Sequence, residues 1–186
     1  MSFVVIYDAC VLNPAPLRDL LIRVARTGVV RARWSETILD ECFRSIHKQR
    51  PELEPARLSR TRDLMSRAVP DCLVQGYEAL IEGLALPDPN DRHVLAAAIR
   101  AGAQTIVTFN LKDFPPECLA EYGVEAQHPD DFVFDLIELA SGAVISAVQA
   151  QQSALKDPPQ TLAQLLTTLQ AAGLHQSVVR LKELLT

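Results

Sequence analysis

Five consecutive residues, Phe3-Val4-Val5-Ile6-Tyr7, are each β-branched or aromatic, and an aspartate, Asp8, follows at once. A strand points its side chains alternately to two faces. An unbroken apolar run therefore has no polar face for water and must be covered on both sides, as strands inside parallel sheets are. Asp8 then sits at the carboxyl end of a buried strand, where an ionised carboxylate has little structural excuse. Beyond Asn13-Pro14, the residues Leu17, Leu20, Leu21, Val24 and Ala25 recur at helical spacing up to Gly28, and Val29 to Trp34 reads as a second short strand. Strand, helix and strand in that order open a parallel α/β fold.

The alternation continues. Ser35 is placed to cap a helix whose Ile38, Leu39, Cys42, Phe43 and Ile46 form an apolar stripe, with Glu41 on its border and Pro51 as its stop. Pro55 to Ala68 is expected as an arginine-rich helix, Cys72 to Val74 as a brief strand, and Tyr77 to Leu84 as a helical turn before the loop Leu86-Pro87-Asp88-Pro89-Asn90. Asn90 is expected to cap the apolar helix containing Val94 to Ile99, which Gly102 closes ahead of a strand from Thr105 to Phe109. Val124 to Ala126 reads as an edge strand and Pro129 to Ala140 as the helix that closes the sheet. The fold class expected is α/β, a three-layer α/β/α sandwich around a central parallel sheet of about five strands. From Gly142 the composition shifts to Ala, Gln and Leu, so residues 1–140 are expected as one domain and 141–186 as a helical extension. Its two stripes, Leu162, Leu165, Leu166 and Leu169, then Val178, Val179, Leu181 and Leu184, must pack on the core, on each other or on a partner.

At 186 residues and 48% hydrophobic, the chain has the apolar content of one ordinary core with an appendage. Cys10, Cys42, Cys72 and Cys118 form no Cys-x-x-Cys pair and read as small apolar residues suited to a reducing, cytoplasmic setting. No basic leader precedes Asp8 and no apolar run is long enough to span a bilayer, so neither secretion nor a membrane is indicated. No Gly-x-Gly-x-x-Gly or Walker loop is present to cradle a nucleotide. The net charge of −5 would weigh weakly against a nucleic-acid partner if it were evenly spread. It is not: residues 18–67 hold 12 of the 18 Lys and Arg but 7 of the 23 Asp and Glu. A basic face is compatible with that asymmetry, though each such arginine could equally be a solvated helix residue.

Asp8 after the first strand, Asp91 in the first turn after Asn90, and Asp113 just past Thr105 to Phe109 all fall at strand ends or helix starts, and Glu41 lies about two turns past Ser35. In an open parallel sheet those ends form one rim, the usual place for a ligand crevice. Four carboxylates there cannot all stay ionised without a compensating cation, and a hard divalent ion with oxygen ligands, Mg²⁺ or Mn²⁺, resolves the repulsion. Such an ion lowers the pKa of bound water and shields charge growing on a phosphate, so phosphodiester hydrolysis by water follows. Cys10 has no evident histidine base beside it to make it the nucleophile.

The segments VIYDACVL, SETILDECFRSI, LPDPNDRHVLAAAI and IVTFNLKDF, in that order and spacing, resemble the PIN-domain family over roughly residues 3–139. The likeness is greatest to the longer VapC-like toxins of bacterial toxin–antitoxin pairs, which carry an extra helical carboxyl-terminal region. The resemblance implies a ribonuclease with Asp8, Glu41, Asp91 and Asp113 as acidic set, Thr108 and Asn110 beside it, and inhibition by a cognate antitoxin. A homodimer is compatible with it.

Each residue also has a plainer reading. Asp91 would favour a helix start whatever else it did. Glu41 would pair with Arg44 on a surface, and Asp40 is a rival ligand. Asp113 would merely order the turn at Asn110, or act through water, and Asp88 would shape its loop. Thr108 and Asn110 either bond a water or phosphate or close the turn. Arg92 either contacts phosphate or is solvated. His93 lies roughly 200° around the helix from Asp91, which points to a structural or surface role rather than a shared metal. Arg44, Arg57, Arg60, Arg62 and Arg67 would line an RNA path or meet an antitoxin. A dehalogenase-like phosphatase needs a second Asp where Cys10 stands, and a receiver domain leaves Glu41 unexplained. The non-enzyme alternative is a catalytically inactive PIN-like scaffold that binds RNA or protein.

Overall fold

The computed structural model describes residues 3–185. Its sheet is parallel throughout, with strands β1 (Phe3–Tyr7), β2 (Val30–Arg33), β3 (Thr105–Val107) and β4 (Glu125–Gln127) in the order β2-β1-β3-β4. Val5, Ile6 and Tyr7 in the middle of β1 are wholly buried, as the unbroken apolar run requires. Tyr7 stacks on Trp34, meets Phe132 edge-on and donates to the Leu21 carbonyl, so helices cover that face of the strand. Because β2 and β3 flank β1, the chain leaves β1 in one direction and returns on the other side. A crevice opens at the carboxyl ends where such a switch occurs.

Helices α1 (Ala9–Leu12), α2 (Ala15–Arg26), α3 (Glu36–Gln49), α4 (Pro55–Ala68), α5 (Arg92–Ala101), α6 (Pro116–Leu119), α7 (Pro129–Ala154), α8 (Leu162–Ala171) and α9 (His175–Leu185) wrap the sheet and extend beyond it. The apolar stripe of α3 is buried and Ser35 accepts from Ile38 N, which is how that helix begins where the sequence placed it. Helix α5 is nearly all core, with Val94 to Ala98 fully buried, and Gly102 closes it in the left-handed region at φ +63°. None of the described helices is long and apolar enough to cross a membrane.

Three expectations change, and one element is added. The sheet has four strands rather than about five, because Cys72 to Val74 makes only a single bridge, Leu73 to Trp34, held by Trp34 N to Cys72 O and Val74 N to Trp34 O. The turn before it, with Asp71 at φ +55°, leaves too little extended chain for a ladder. Asn90 is not the cap: Asp88 accepts from Asn90 N and starts a 3₁₀ turn, Pro89–Asp91, that feeds into α5. A short helix, α1, follows Asp8 directly. Helix α7 does not end at Ala140 but kinks there, at φ −151° and ψ 57°, and runs on to Ala154.

In the carboxyl-terminal region Leu165, Leu166, Leu169, Val178 and Leu181 are buried, whereas Val179 and Leu184 face solvent, so the second stripe is narrower than its spacing suggested. Helix α9 lies along α7, and α8 packs against α9, α7 and α2. The joint is set by Asp130 of α7, whose carboxylate accepts from Gln176 N and Ser177 N at the start of α9, both at 2.9 Å. All four cysteines are free thiols.

Candidate active site

Register fixes the first pair of groups. Tyr7 of β1 is paired with Val107 of β3, so the next residues, Asp8 and Thr108, arrive side by side, and Asp8 N donates to Val107 O at 3.1 Å. Asp8 is only 5% exposed, and its carboxylate is held from three sides. Oδ1 accepts from Ala9 N at 2.7 Å as the cap of α1, and Oδ2 accepts from Thr108 Oγ1 at 2.8 Å and from Cys10 Sγ at 3.3 Å. Thr108 Oγ1 in turn accepts from Asn110 N, which ties the loop after β3 to the same carboxylate. Burial raises the Asp8 carboxyl above the usual range, against the lowering effect of these bonds. Burial together with the neighbouring Asp8 charge pushes the Cys10 thiol up to about 12, so Cys10 is a hydrogen-bond donor to Asp8 rather than a thiolate.

Two further acids face Asp8. Glu41 comes from the border of the α3 stripe and Asp91 from the 3₁₀ turn ahead of α5, and all three line one cleft of about 230 Å³ with Asn13, Ser45 and Asn110. No Lys or Arg among the described residues lines it. Desolvation first, then the charges of Asp8, Asp88, Asp113 and Glu41, raise the Asp91 carboxyl to about 6. The cleft is not the largest concavity. Another, of about 450 Å³, lies among α2, α4, α7 and α8, but its walls mix aliphatic side chains with Arg18, Arg23 and Arg26, and its one carboxylate, Asp19, is paired with Arg23.

The remaining candidates divide. Asp113 sits in a 3₁₀ turn, Leu111–Asp113, close enough to raise Asp91 electrostatically but outside the cleft lining. Asn110 is exposed on the rim. Arg92 bends back so that Nε donates to Pro89 O, and it does not line the cleft. Asp40, the rival of Glu41, points away and is bound by Arg62, which also holds Glu36. The sequence offered no way to see this, because Arg62 lies on another helix. The helical rotation gives His93 a structural or surface place. It is buried, and its Nε2 lies 2.9 Å from Oε1 of Glu41, which lines the same cleft as Asp91. No local pattern links residues 52 apart; only the packing of α5 near α3 brings them together. Asn13 and Ser45, joined at 2.8 Å, also escaped notice as cleft walls.

Chemically this is an acidic pocket without a protein cation to balance it; burial keeps its two thiols, Cys10 and Cys42, protonated, and its carboxylate oxygens are the donors that suit a hard divalent ion. Among the described residues no three His, Cys, Asp or Glu side chains are already disposed to hold a metal ion. The acids feel one another's charge across the cleft, while their oxygens are spread among Thr108, Cys10, Ala9 and His93. The fit is therefore one of composition and charge, with the carboxylates apart.

A parallel α/β sandwich with an acidic cleft at the switch point of its sheet defines the class, and the chain belongs to the PIN-domain family, whose profile matches residues 4–112, more than half of its length. Residues 129–183 match the VapC50 C-terminal domain. Of curated proteins, the chain is similar to one named "Putative ribonuclease VapC50" from Mycobacterium tuberculosis, with 47% identity over 94 residues, 50% of this chain and 55% of that one. The match thus spans about half of the relative's length. No solved structure gives a significant match.

Proposed function

We propose that this chain is a metal-dependent endoribonuclease, hydrolysing RNA phosphodiester bonds with Mg²⁺ or Mn²⁺, and that it is the toxin of a type II toxin–antitoxin pair. The observation that carries this is the shared cleft of Asp8, Glu41 and Asp91, which lacks any basic lining and holds the Asp91 carboxyl near 6. The name of the mycobacterial relative, a putative ribonuclease, supports RNA as substrate. The arginine surplus of residues 18–67, with Arg44, Arg57, Arg60 and Arg67 exposed, supports a phosphate-rich partner. The partners proposed are RNA, a cognate antitoxin and a second copy of the chain, with residues 1–140 as the nuclease part and 141–186 as an extension.

Asp8, Glu41 and Asp91 are the residues assigned to the ion, with Asp113 acting through water. The ion supplies an acidified water and a counter-charge for the phosphate. Asp8 is the fixed member, because donors on both oxygens leave its carboxylate no freedom to turn. Thr108 keeps it there while closing the loop through Asn110 N. The Asn110 side chain on the rim is proposed to orient a phosphate oxygen or the attacking water, and Arg92, outside the cleft lining with its Nε donating to Pro89 O, to contact a phosphate beyond it.

The test is incubation of an RNA pool with the chain and Mn²⁺, beside Asp8→Asn. Cleavage by the native chain and none by the variant is the expected outcome. If neither cuts while Mn²⁺ still binds, the second reading holds, a PIN-like scaffold that binds without cutting. What favours that alternative is the spread of the carboxylates, none of which are already grouped to hold an ion.

A further inference from the structure

We propose that His93 is a positioning residue for Glu41: its Nε2 fixes one carboxylate oxygen and so presents the other to a divalent cation in the cleft, an inference that rests on the metal-dependent reading above. His93 interrupts an otherwise apolar surface. Its neighbours Val94 to Ala98 are fully buried, and the ring itself is only 7% exposed. An apolar side chain there would have no polar atoms to satisfy, whereas a buried imidazole costs free energy unless its nitrogens find partners. One does, Nε2, at 2.9 Å from Glu41 Oε1 across the α5–α3 gap. The other, Nδ1, is buried with no hydrogen-bond partner among the described residues. The histidine thus leaves one nitrogen unpartnered while its single hydrogen bond goes to an acid of the cleft. In the ring form with a single N–H, Nε2 carries the hydrogen and the orphan is a lone pair, the less costly kind of unpaired group.

Glu41 needs such a restraint. Its side chain is 37% exposed, it has three rotatable bonds, and unlike Asp8 it has no backbone or hydroxyl donor. With Oε1 held by His93, Oε2 makes no hydrogen bond among the described residues and the carboxylate lines the cleft. Hydrogen bonds behind ligating carboxylates orient them, and losing one typically costs about 10–100-fold in metal affinity.

The experiment measures Mn²⁺ binding to the full chain without RNA, by titration calorimetry or by the free-ion paramagnetic signal, in native protein, Asp8→Asn, Glu41→Gln, His93→Leu, His93→Gln and His93→Asn. Native protein should bind Mn²⁺ and Asp8→Asn should not. His93→Leu should bind about 10–100-fold more weakly, and His93→Gln, which keeps a donor at the reach of Nε2, should stay within about 3-fold of native, as a conservative rescue does. On the Glu41→Gln background, His93→Leu should add nothing. In cleavage assays the Mn²⁺ concentration for half-maximal rate should rise while the rate at saturating Mn²⁺ recovers. Native-like Mn²⁺ affinity in folded His93→Leu overturns the assignment while leaving the nuclease reading intact. Absence of Mn²⁺ binding in native protein overturns both. If His93→Leu does not fold, the comparison of His93→Gln with the shorter His93→Asn decides, and equal affinities overturn it.

Discussion

Asp91 is the residue at which site chemistry and stability meet. Desolvation and four neighbouring acids raise its carboxyl from 3.8 to about 6 in the folded chain. Between those values the folded state holds a proton that the unfolded state has released, so this group's contribution to stability declines as pH rises through that window and stays unfavourable above it. Asp91→Asn removes the liability. Its melting temperature without metal should exceed that of native protein at pH 7.5 by about 2–4 °C, the shift that about 1 kcal/mol gives in a chain of this size, and the two should converge by pH 4. A variant that melts lower than native protein in EDTA at pH 7.5 would show that the acids do not crowd one another. With Mn²⁺ added, native protein should gain stability and the variant should not.

The gathering of Asp8, Glu41 and Asp91 was legible because they stand at a strand end, on a stripe border and at a helix start, whose direction the pattern fixes. The choice between Glu41 and Asp40 turned on Arg62, a contact between helices, and the tie of His93 to Glu41 turned on the same kind of contact. Asp113 falls short of the cleft lining because the 3₁₀ turn holding it carries it past the rim.

At the scale of elements, the apolar stripes placed α2 and α3 well, since burial of one face is what forms a helix in a protein of this kind, and the nearly continuous apolar run placed α5. They misplaced ends where a partner decides the matter. Val179 and Leu184 of α9 look like core by spacing, but α9 meets α7 on a narrower face. How α9 starts was also hidden, because its first N–H groups are satisfied by Asp130, 46 and 47 residues earlier in the chain. Asp130 is 7% exposed, so Asp130→Ala strands two donors near the core and should cost about 1–3 kcal/mol in urea unfolding. Asp130→Asn, which keeps an acceptor oxygen, should cost less, and equal losses would show that the bonds to α9 do not matter. Gly173 is a second sensitive joint. It stands at φ +107°, and a Cβ on it would lie 3.0 Å from Phe109 Cε1. Strain and overpacking together should make Gly173→Ala about 1–3 kcal/mol less stable.

At the scale of the whole molecule, those two joints connect the carboxyl-terminal helices to the acidic cleft. Phe109 follows Thr108, the residue that donates to Asp8, and its ring packs against the turn at Gly173 and edge-on against His128. Family matches treat residues 4–112 and 129–183 separately, yet α7 belongs to both layers: Phe132 touches Tyr7 of β1, while Asp130 and Glu138 hold α9. Deleting residues 158–185 removes Leu165, Leu166, Leu169, Leu174, Val178 and Leu181 from the core and uncovers the faces of α7 and α2 that they cover. At about 1.5–3 kcal/mol for each buried aliphatic side chain, uncovering even two or three of their partners amounts to most of the stability of an ordinary domain. Asp130 would also lose both amides that justify its burial. The truncated chain is therefore expected to bind a hydrophobic dye, to melt well below the full chain and to aggregate, with the Phe109 loop loosened beside Asp8. A truncated protein that stays soluble, melts with the full chain and keeps its Mn²⁺ affinity would mean that the sheet and its cleft stand without the extension, whose buried leucines would then serve only to hold α8 and α9 to each other.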